Sequence, residues 1–292
     1  MTKQEFAQWA AKEVILMDGA TGSNLMAAGM PQNSSTELWM LEHPEAVKEL
    51  QRAYADAGSR IIYACTFSAN RESLKKHGLQ DHVEELNMKL AQLTRDAVGD
   101  KAYVAGDLTM TGQLLEPLGD MTEEALLDIY KEQITGLVKG GVDLLGVETM
   151  LSLDETVIAL KAAQEICDLP VMTTLTVNES GMTIYGTNAV EAVTVLEKNG
   201  ASAVGLNCSL GPDQLTDVIR RMKEKATVPV IAKPNAGLPT VNASGQMVYH
   251  MDAEEFAGHM KGLLDAGAGI VGGCCGTTPE YIRKLREVIE TY

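Results

Sequence analysis

The sequence predicts an α/β protein, a (β/α)8 TIM barrel with an N-terminal helix across its base, on three observations. Eight short apolar or β-rich runs recur along the 292 residues, helical patterns fill the gaps, and no Gly-x-Gly-x-x-Gly turn follows the first run. Continuous apolar strands that each precede a helix indicate parallel pairing with both faces covered. The missing dinucleotide turn argues against the rival doubly wound sheet, and the length suits eight units, for which about 250 residues is typical.

Taken in order, the stretch MTKQEFAQWAAKE is polar and amphipathic, which suits a helix under the barrel and does not suit a signal peptide. The strand runs are VILMDGA (14–20), RIIYACTF (60–67), AYVAGDL (102–108), DLLGVETM (143–150), PVMTTLTV (170–177), AVGLNCS (203–209), VPVIAKPN (228–235) and AGIVGGCCG (268–276). Between the first two, residues 21–44 read as an extended loop at the barrel mouth. Helix starts are marked by capping-box spacing at Ser152/Glu155 and Asp252/Glu255, and by Thr278 before Pro279. Several helices end in small-residue hinges: DAGSR, KGGVD, KNGAS and DAGAG. With no linker, repeat or composition shift, residues 1–292 are expected to form a single domain.

Composition narrows the function. Forty acidic against 24 basic residues give a net charge of −16, which repels phosphate backbones and anionic membrane surfaces. Neither nucleic acid nor a membrane is therefore expected as a partner. The acidic pairs at 84–85, 123–124 and 254–255 fall on predicted helices and read as solvated faces. No run of about 18 apolar residues occurs. Five cysteines, at 65, 167, 208, 274 and 275, fit no disulfide framework and suggest the reducing cytoplasm.

In such a barrel, chemistry collects where strands end. The predicted ends carry Asp18, Cys65 or Thr66, Asp107, Glu148, Thr176, Cys208, Asn235, and Cys274 with Cys275. Three cysteines thus share one rim, whereas Cys167 precedes strand five on the opposite side and reads as a small hydrophobe. Three thiolates at a rim make a credible Zn²⁺ site with a fourth position for substrate. Packing, or a vicinal disulfide between Cys274 and Cys275, is the alternative. The flanking Gly272, Gly273 and Gly276 favour metal, since a bend is needed to turn adjacent side chains to one side. The histidines do not rival the cysteines: His43, His77, His82 and His259 lie in helical patterns and His250 in a loop.

The stretches DGATGSNL (18–25), FSANRESLKKHGL (67–79), GVETM (146–150), YGTN (185–188), GLNCSLGP (205–212), KPNAGLP (233–239) and GGCCGTTPEYI (272–282) resemble the homocysteine S-methyltransferase family. The likeness is greatest to the homocysteine-binding module of cobalamin-dependent methionine synthases, and it spans essentially the whole length in family order. It implies a barrel that holds Zn²⁺ through Cys208, Cys274 and Cys275 and methylates homocysteine to methionine. Zinc removes the thiol proton outright, and three cysteinates leave the substrate sulfur electron-rich enough to attack a methyl group. Glu148 ends an apolar strand, where a carboxylate needs a partner; a substrate α-amino group is the reading the resemblance shares, with loop amides or Arg60 the alternative. Asp18 shares that task or caps the following turn. Thr21 and the DGATG backbone hold the substrate carboxylate or form an ordinary turn. The resemblance makes Asn235 a placeholder zinc ligand when substrate is absent, with a turn-forming Asn before Gly237 the alternative; Asn207 reads as support for the strand end.

Two departures from the family bear on the acceptor. ACTF stands where a Thr-Asn-Thr-aromatic stretch is expected, placing Cys65 in a mouth-lining pocket or, less favourably, as a fourth thiolate. GDLTMTGQ (106–113) lacks an expected Gly-Pro pair. No Asp-x-His-x-x-Gly stretch is present to bind a corrinoid here; the resemblance to the methionine-synthase module implies that methyl comes from methylcobalamin on a partner corrinoid protein. S-methylmethionine, S-adenosylmethionine or betaine are the alternatives. A non-catalytic zinc-carrying or corrinoid-protein-binding module is the alternative of another class, and a Schiff-base aldolase through Lys233 is a third.

Overall fold

The structure, a computed structural model, describes residues 1–32, 34–242 and 247–292. Eight parallel strands form the barrel: β1 (Ile15–Leu16), β2 (Ile61–Tyr63), β3 (Tyr103–Leu108), β4 (Leu144–Met150), β5 (Val171–Leu175), β6 (Ala203–Asn207), β7 (Val230–Lys233) and β8 (Ala268–Val271). Each pairs with its sequence neighbour, and β1 pairs with β8 through Ile15 opposite Ile270. The ring closes between β1 and β2, where the Arg60 N–H donates to Leu16 O (2.7 Å) and the Asp18 N–H to Ile61 O (3.2 Å).

Period-two alternation divides the strand residues between two cores. Leu16, Ile62, Val104, Leu145, Val204 and Val271 join the helices in the larger one. Ile15, Ile61, Ala105, Leu144, Met172 and Ile231 belong to a second cluster, which fills the barrel interior. Phe6 belongs to this inner cluster, so the helix Lys3–Ala10, closed by a Thr2/Glu5 capping box, plugs the base as expected. One or two steps further along the same inward positions the side chains turn polar. Asp107, Glu148, Thr174, Asn207 and Lys233 are all buried. An apolar floor under a polar upper layer places the chemistry at the strands' C-terminal ends.

Three local expectations need correction. Residues 21–44 are not one extended loop: among the described residues they include the helices Gly22–Ala27 and Thr36–Glu42, the latter capped by Ser35. Its buried Trp39 and Met40 show an apolar helix face that loop composition had masked. The Ser152 cap receives the Glu155 N–H, but Glu155 does not return the bond. Its carboxylate turns inward to accept from the Thr111 N–H and hydroxyl (both 2.8 Å) and the Tyr130 hydroxyl (3.0 Å), pinning the loop after β3. A short antiparallel ribbon, Thr240–Val241 with Met247–Val248, adds strand outside the barrel.

Candidate metal centre and substrate site

Cys208 follows β6 directly and adopts a left-handed backbone with φ of 49°. Cys274 and Cys275 lie on the bend after β8. Their sulfurs and that of Cys208 are all within 4.8 Å of one another, with Cys208 Sγ to Cys275 Sγ at 3.4 Å. Tetrahedral zinc with sulfurs about 2.3 Å from the metal separates them by about 3.8 Å, so this donor set fits the ion. No disulfide joins them; all five cysteines are free.

The bend is held from both sides. The Cys274 N–H donates to Pro234 O (2.8 Å), the Ala236 N–H to Cys275 O (3.0 Å) and the Cys208 N–H to Lys233 O (3.3 Å). The segment after β7 therefore braces both cysteine-bearing loops. On the other side the Gly273 N–H donates to Asp18 O, and Thr277 bridges the Ala20 N–H and Cys274 O. The glycines have steric reasons: a Cβ at Gly273 would sit 2.4 Å from the Thr277 hydroxyl, and Gly276 has φ of 83° beneath the Tyr249 ring.

Hydrogen bonds from Cys208 and Cys274 draw Cys275 down to about 3, helped by Tyr249. Cys274 is raised by its contacts with Cys208 and Cys275 and then by burial. Cys208 gains from its bond to Cys274 but loses more to Cys275 and burial, which push it up to about 12. Such mutual resistance to ionisation is what a divalent ion would relieve.

Asn207 is the hub beside them. Its amide donates to Glu148 Oε2 and Thr149 Oγ1 (both 2.9 Å) and faces Cys274 Sγ at 3.9 Å. Its oxygen accepts from the Thr149 N–H and the Thr174 hydroxyl. These bonds hold Thr149 at φ of 60°, a costly conformation for a β-branched residue. Glu148 lies inside β4, not at its end, and burial pushes it up to about 7 despite the pull of Lys233. Arg60 is not its partner, since Arg60 pairs with Glu13 on the surface.

Asp18 does not cap the turn after β1. One oxygen accepts from the Lys233 ammonium (2.7 Å) and the other from the Tyr63 N–H (2.8 Å), with all three residues buried. Lys233 also lies 4.2 Å from the Tyr63 ring centroid. Burial works against its charge, but Asp18 and Glu148 more than offset it, so the amine is raised above an ordinary lysine. A Schiff-base lysine needs a neutral amine, so this geometry opposes the aldolase alternative.

Thr21 is half-buried and precedes the helix Gly22–Ala27 without capping it. Asn235 is buried, and its Oδ1 has no partner among the described residues. Cys65 does not line the mouth. It accepts from the Gln51 amide (3.1 Å) and packs with Trp39, Val47 and Leu90 under the outer helices. Among the described residues the metal-competent group consists of Cys208, Cys274 and Cys275. Sequence reasoning missed the Tyr249 contact and the Asp18–Lys233 pair, because neither follows from local pattern.

A parallel eight-stranded barrel with a three-thiol cluster on its C-terminal rim defines a class of protein that could hold a divalent cation beside a layer of buried polar residues. The chain belongs to the homocysteine S-methyltransferase family, whose profile matches residues 15–289. It is 30% identical over 297 aligned positions to the methionine synthase of Mycobacterium tuberculosis and 29% identical to that of Mycobacterium leprae. Each alignment takes in 96% of this chain, which spans about a quarter of those relatives' length. The fold matches the homocysteine methyltransferase MmuM from Escherichia coli. Its oxidized form gives a TM-score of 0.80 at 21% identity, over 96% of this chain and 98% of the other. The metallated form gives 0.78 at 22% identity over the same shares. No helix among the described residues is long and apolar enough to cross a membrane.

Proposed function

We propose that this chain is a zinc-dependent methyltransferase that binds homocysteine by its thiol and converts it to methionine. The observation that carries the reading is the convergence of the Cys208, Cys274 and Cys275 sulfurs within 4.8 Å. A zinc ion held there supplies one thing, a thiol kept deprotonated at neutral pH.

The remaining work belongs to the chain. Glu148, oriented by Asn207, takes the substrate ammonium, and Asp18 borders the same pocket with the lone pairs that Lys233 and Tyr63 leave free. Thr21 and the DGATG backbone face the substrate carboxylate. Asn235, whose buried Oδ1 has no protein partner, approaches the metal position when substrate is absent. Methyl arrives from a methylcorrinoid on a separate carrier protein, a reading supported by the likeness to methionine synthases. Free thiols at five positions suit a reducing cytoplasm.

The test is to incubate zinc-loaded protein and homocysteine separately with methylcobalamin, S-methylmethionine, S-adenosylmethionine or betaine, and to follow methionine. Methylcobalamin is expected to serve; turnover with one of the others alone would assign a stand-alone enzyme. Stoichiometric zinc without methyl transfer from any donor would leave only a binding module. The Cys274→Ser variant is expected to lose zinc and turnover together while keeping the far-UV spectrum of the barrel. Full turnover in that variant would refute the metal-centred reading.

A further inference from the structure

Beside the three sulfurs stands Tyr249, to which the scheme above gives no task. It follows the second strand of the ribbon directly and is half-buried, and its hydroxyl hydrogen-bonds Cys275 Sγ. Its ring lies on the backbone of Gly276: a Cβ there would come within 2.4 Å of the ring's Cγ and 2.7 Å of Tyr249 Cβ. Any larger residue after Cys275 would push the ring away, so glycine admits the tyrosine as well as the turn.

The ribbon is anchored so that the hydroxyl keeps its aim. Thr240 pairs with Val248, and its hydroxyl meets His250 Nε2 at 2.6 Å. Beyond Tyr249, the Met251 N–H donates to Ala236 O (3.3 Å), and Met251 O accepts from the Tyr281 hydroxyl (2.6 Å). The Ala236 N–H in turn donates to Cys275 O (3.0 Å), so tyrosine and cysteine are tied to the same short segment.

Three cysteine sulfurs beside an incoming fourth pose a problem of selectivity. Each cysteinate is a nucleophile of the same kind as the substrate thiolate, and Cys275 is only half-buried. A methyl group that reached it would form an S–C bond, release its leaving group and turn an anionic ligand into a neutral thioether. A hydrogen bond to a thiolate lowers its basicity, and nucleophilicity falls with basicity. Cys274 has a weaker counterpart in the Asn207 amide at 3.9 Å.

We propose that the Tyr249 hydroxyl makes Cys275 the poorer nucleophile, so that methyl passes to the substrate sulfur and the protein's own ligand is spared. This rests on the metal-centred methyltransferase reading given above. Tyr249 acts through Cys275 alone, as a positioning residue for that sulfur's lone pairs.

The probe is iodomethane, which needs neither carrier protein nor substrate: attack of the sulfur on carbon expels iodide. Zinc-loaded wild type, Tyr249→Phe and Tyr249→Ala are treated without homocysteine, and methylation of each cysteine is followed by peptide mass spectrometry. Tyr249→Phe keeps the ring on Gly276 and removes only the hydroxyl. Cys275 in that variant is expected to react about tenfold faster than in wild type, with less than about a twofold change at Cys208 and Cys274. Zinc content before treatment is expected to be unchanged. In cobalt-substituted protein the sulfur-to-metal charge-transfer band is expected to move to lower energy in Tyr249→Phe, a shift that altered packing alone would not give. An unchanged Cys275 rate in Tyr249→Phe would overturn the proposal even if Tyr249→Ala reacted faster, because the ring alone would then be the shield. Equal acceleration at all three cysteines, or loss of zinc or fold in Tyr249→Phe, would show a structural role and overturn it likewise. A wild type that holds no zinc would remove the underlying functional reading as well.

Discussion

Replacing Lys233 with methionine removes one charge while keeping a side chain of similar length in the barrel. The ammonium is 2.7 Å from Asp18 Oδ1, with the two side chains 2% and 1% exposed. At an effective dielectric of about 20, that separation corresponds to about 6 kcal/mol of gross attraction. Desolvation of the lysine, no longer required in the variant, returns part of it. Asp18 keeps the Tyr63 N–H but loses its counter-charge, and breaking one side of a buried pair costs about 3–5 kcal/mol. For 292 residues at about 2.1 cal/mol/K each, the unfolding entropy is about 0.6 kcal/mol/K, so the melting temperature should fall by about 5–8 °C. The assay is urea unfolding followed by far-UV circular dichroism at pH 7.5, on Lys233→Met, Asp18→Asn and the double variant. Asp18→Asn is also expected to destabilise, and the double variant to recover much of the loss, giving a coupling of at least about 2 kcal/mol. The sign of the pH dependence agrees. The lysine's folded pKa exceeds its unfolded value, so the stability linked to its ionisation is present below about pH 10.4 and is lost as pH rises through the folded value. A Lys233→Met cost below about 1 kcal/mol, with no coupling to Asp18, would refute the account of the upper layer.

Two further outcomes follow from the same layer and from the floor beneath it. Burial pushes Glu148 up to about 7, above its unfolded value, so its own contribution to stability is fully present below about pH 4 and is lost as pH rises through 7, a change of about 3 kcal/mol. Glu148→Gln is expected to flatten that slope in urea titrations between pH 5 and 8, to raise KM for homocysteine and to leave zinc content intact; an unchanged slope would contradict the assigned burial. Phe6 is fully buried in the base of the barrel, and Phe6→Ala is expected to cost about 3–5 kcal/mol without altering zinc stoichiometry, read by thermal unfolding and elemental analysis.

The sequence by itself determined the order of strands and helices, because periodicity, capping residues and glycine stops are local. It also isolated Cys208, Cys274 and Cys275, because a barrel brings all strand ends to one rim whatever their separation in the chain. Local signals misled where composition and environment disagree. Ser and Asn around residues 32–36 read as loop, yet Trp39 and Met40 bury a helix face. Cys65, beside a strand end, was assigned to the mouth, but in the folded chain its thiol turns to Gln51 in the helix layer.

Only the tertiary structure decided how the polar residues divide among themselves. Asp18 pairs with a lysine 215 residues away, Asn207 links Glu148 to the cysteine bend, and Asp107 Oδ1 has no donor among the described residues. Hydrogen bonds and charge pairs of this kind depend on distances between neighbouring strands and on the burial that sharpens them, and neither quantity is encoded in spacing along the chain.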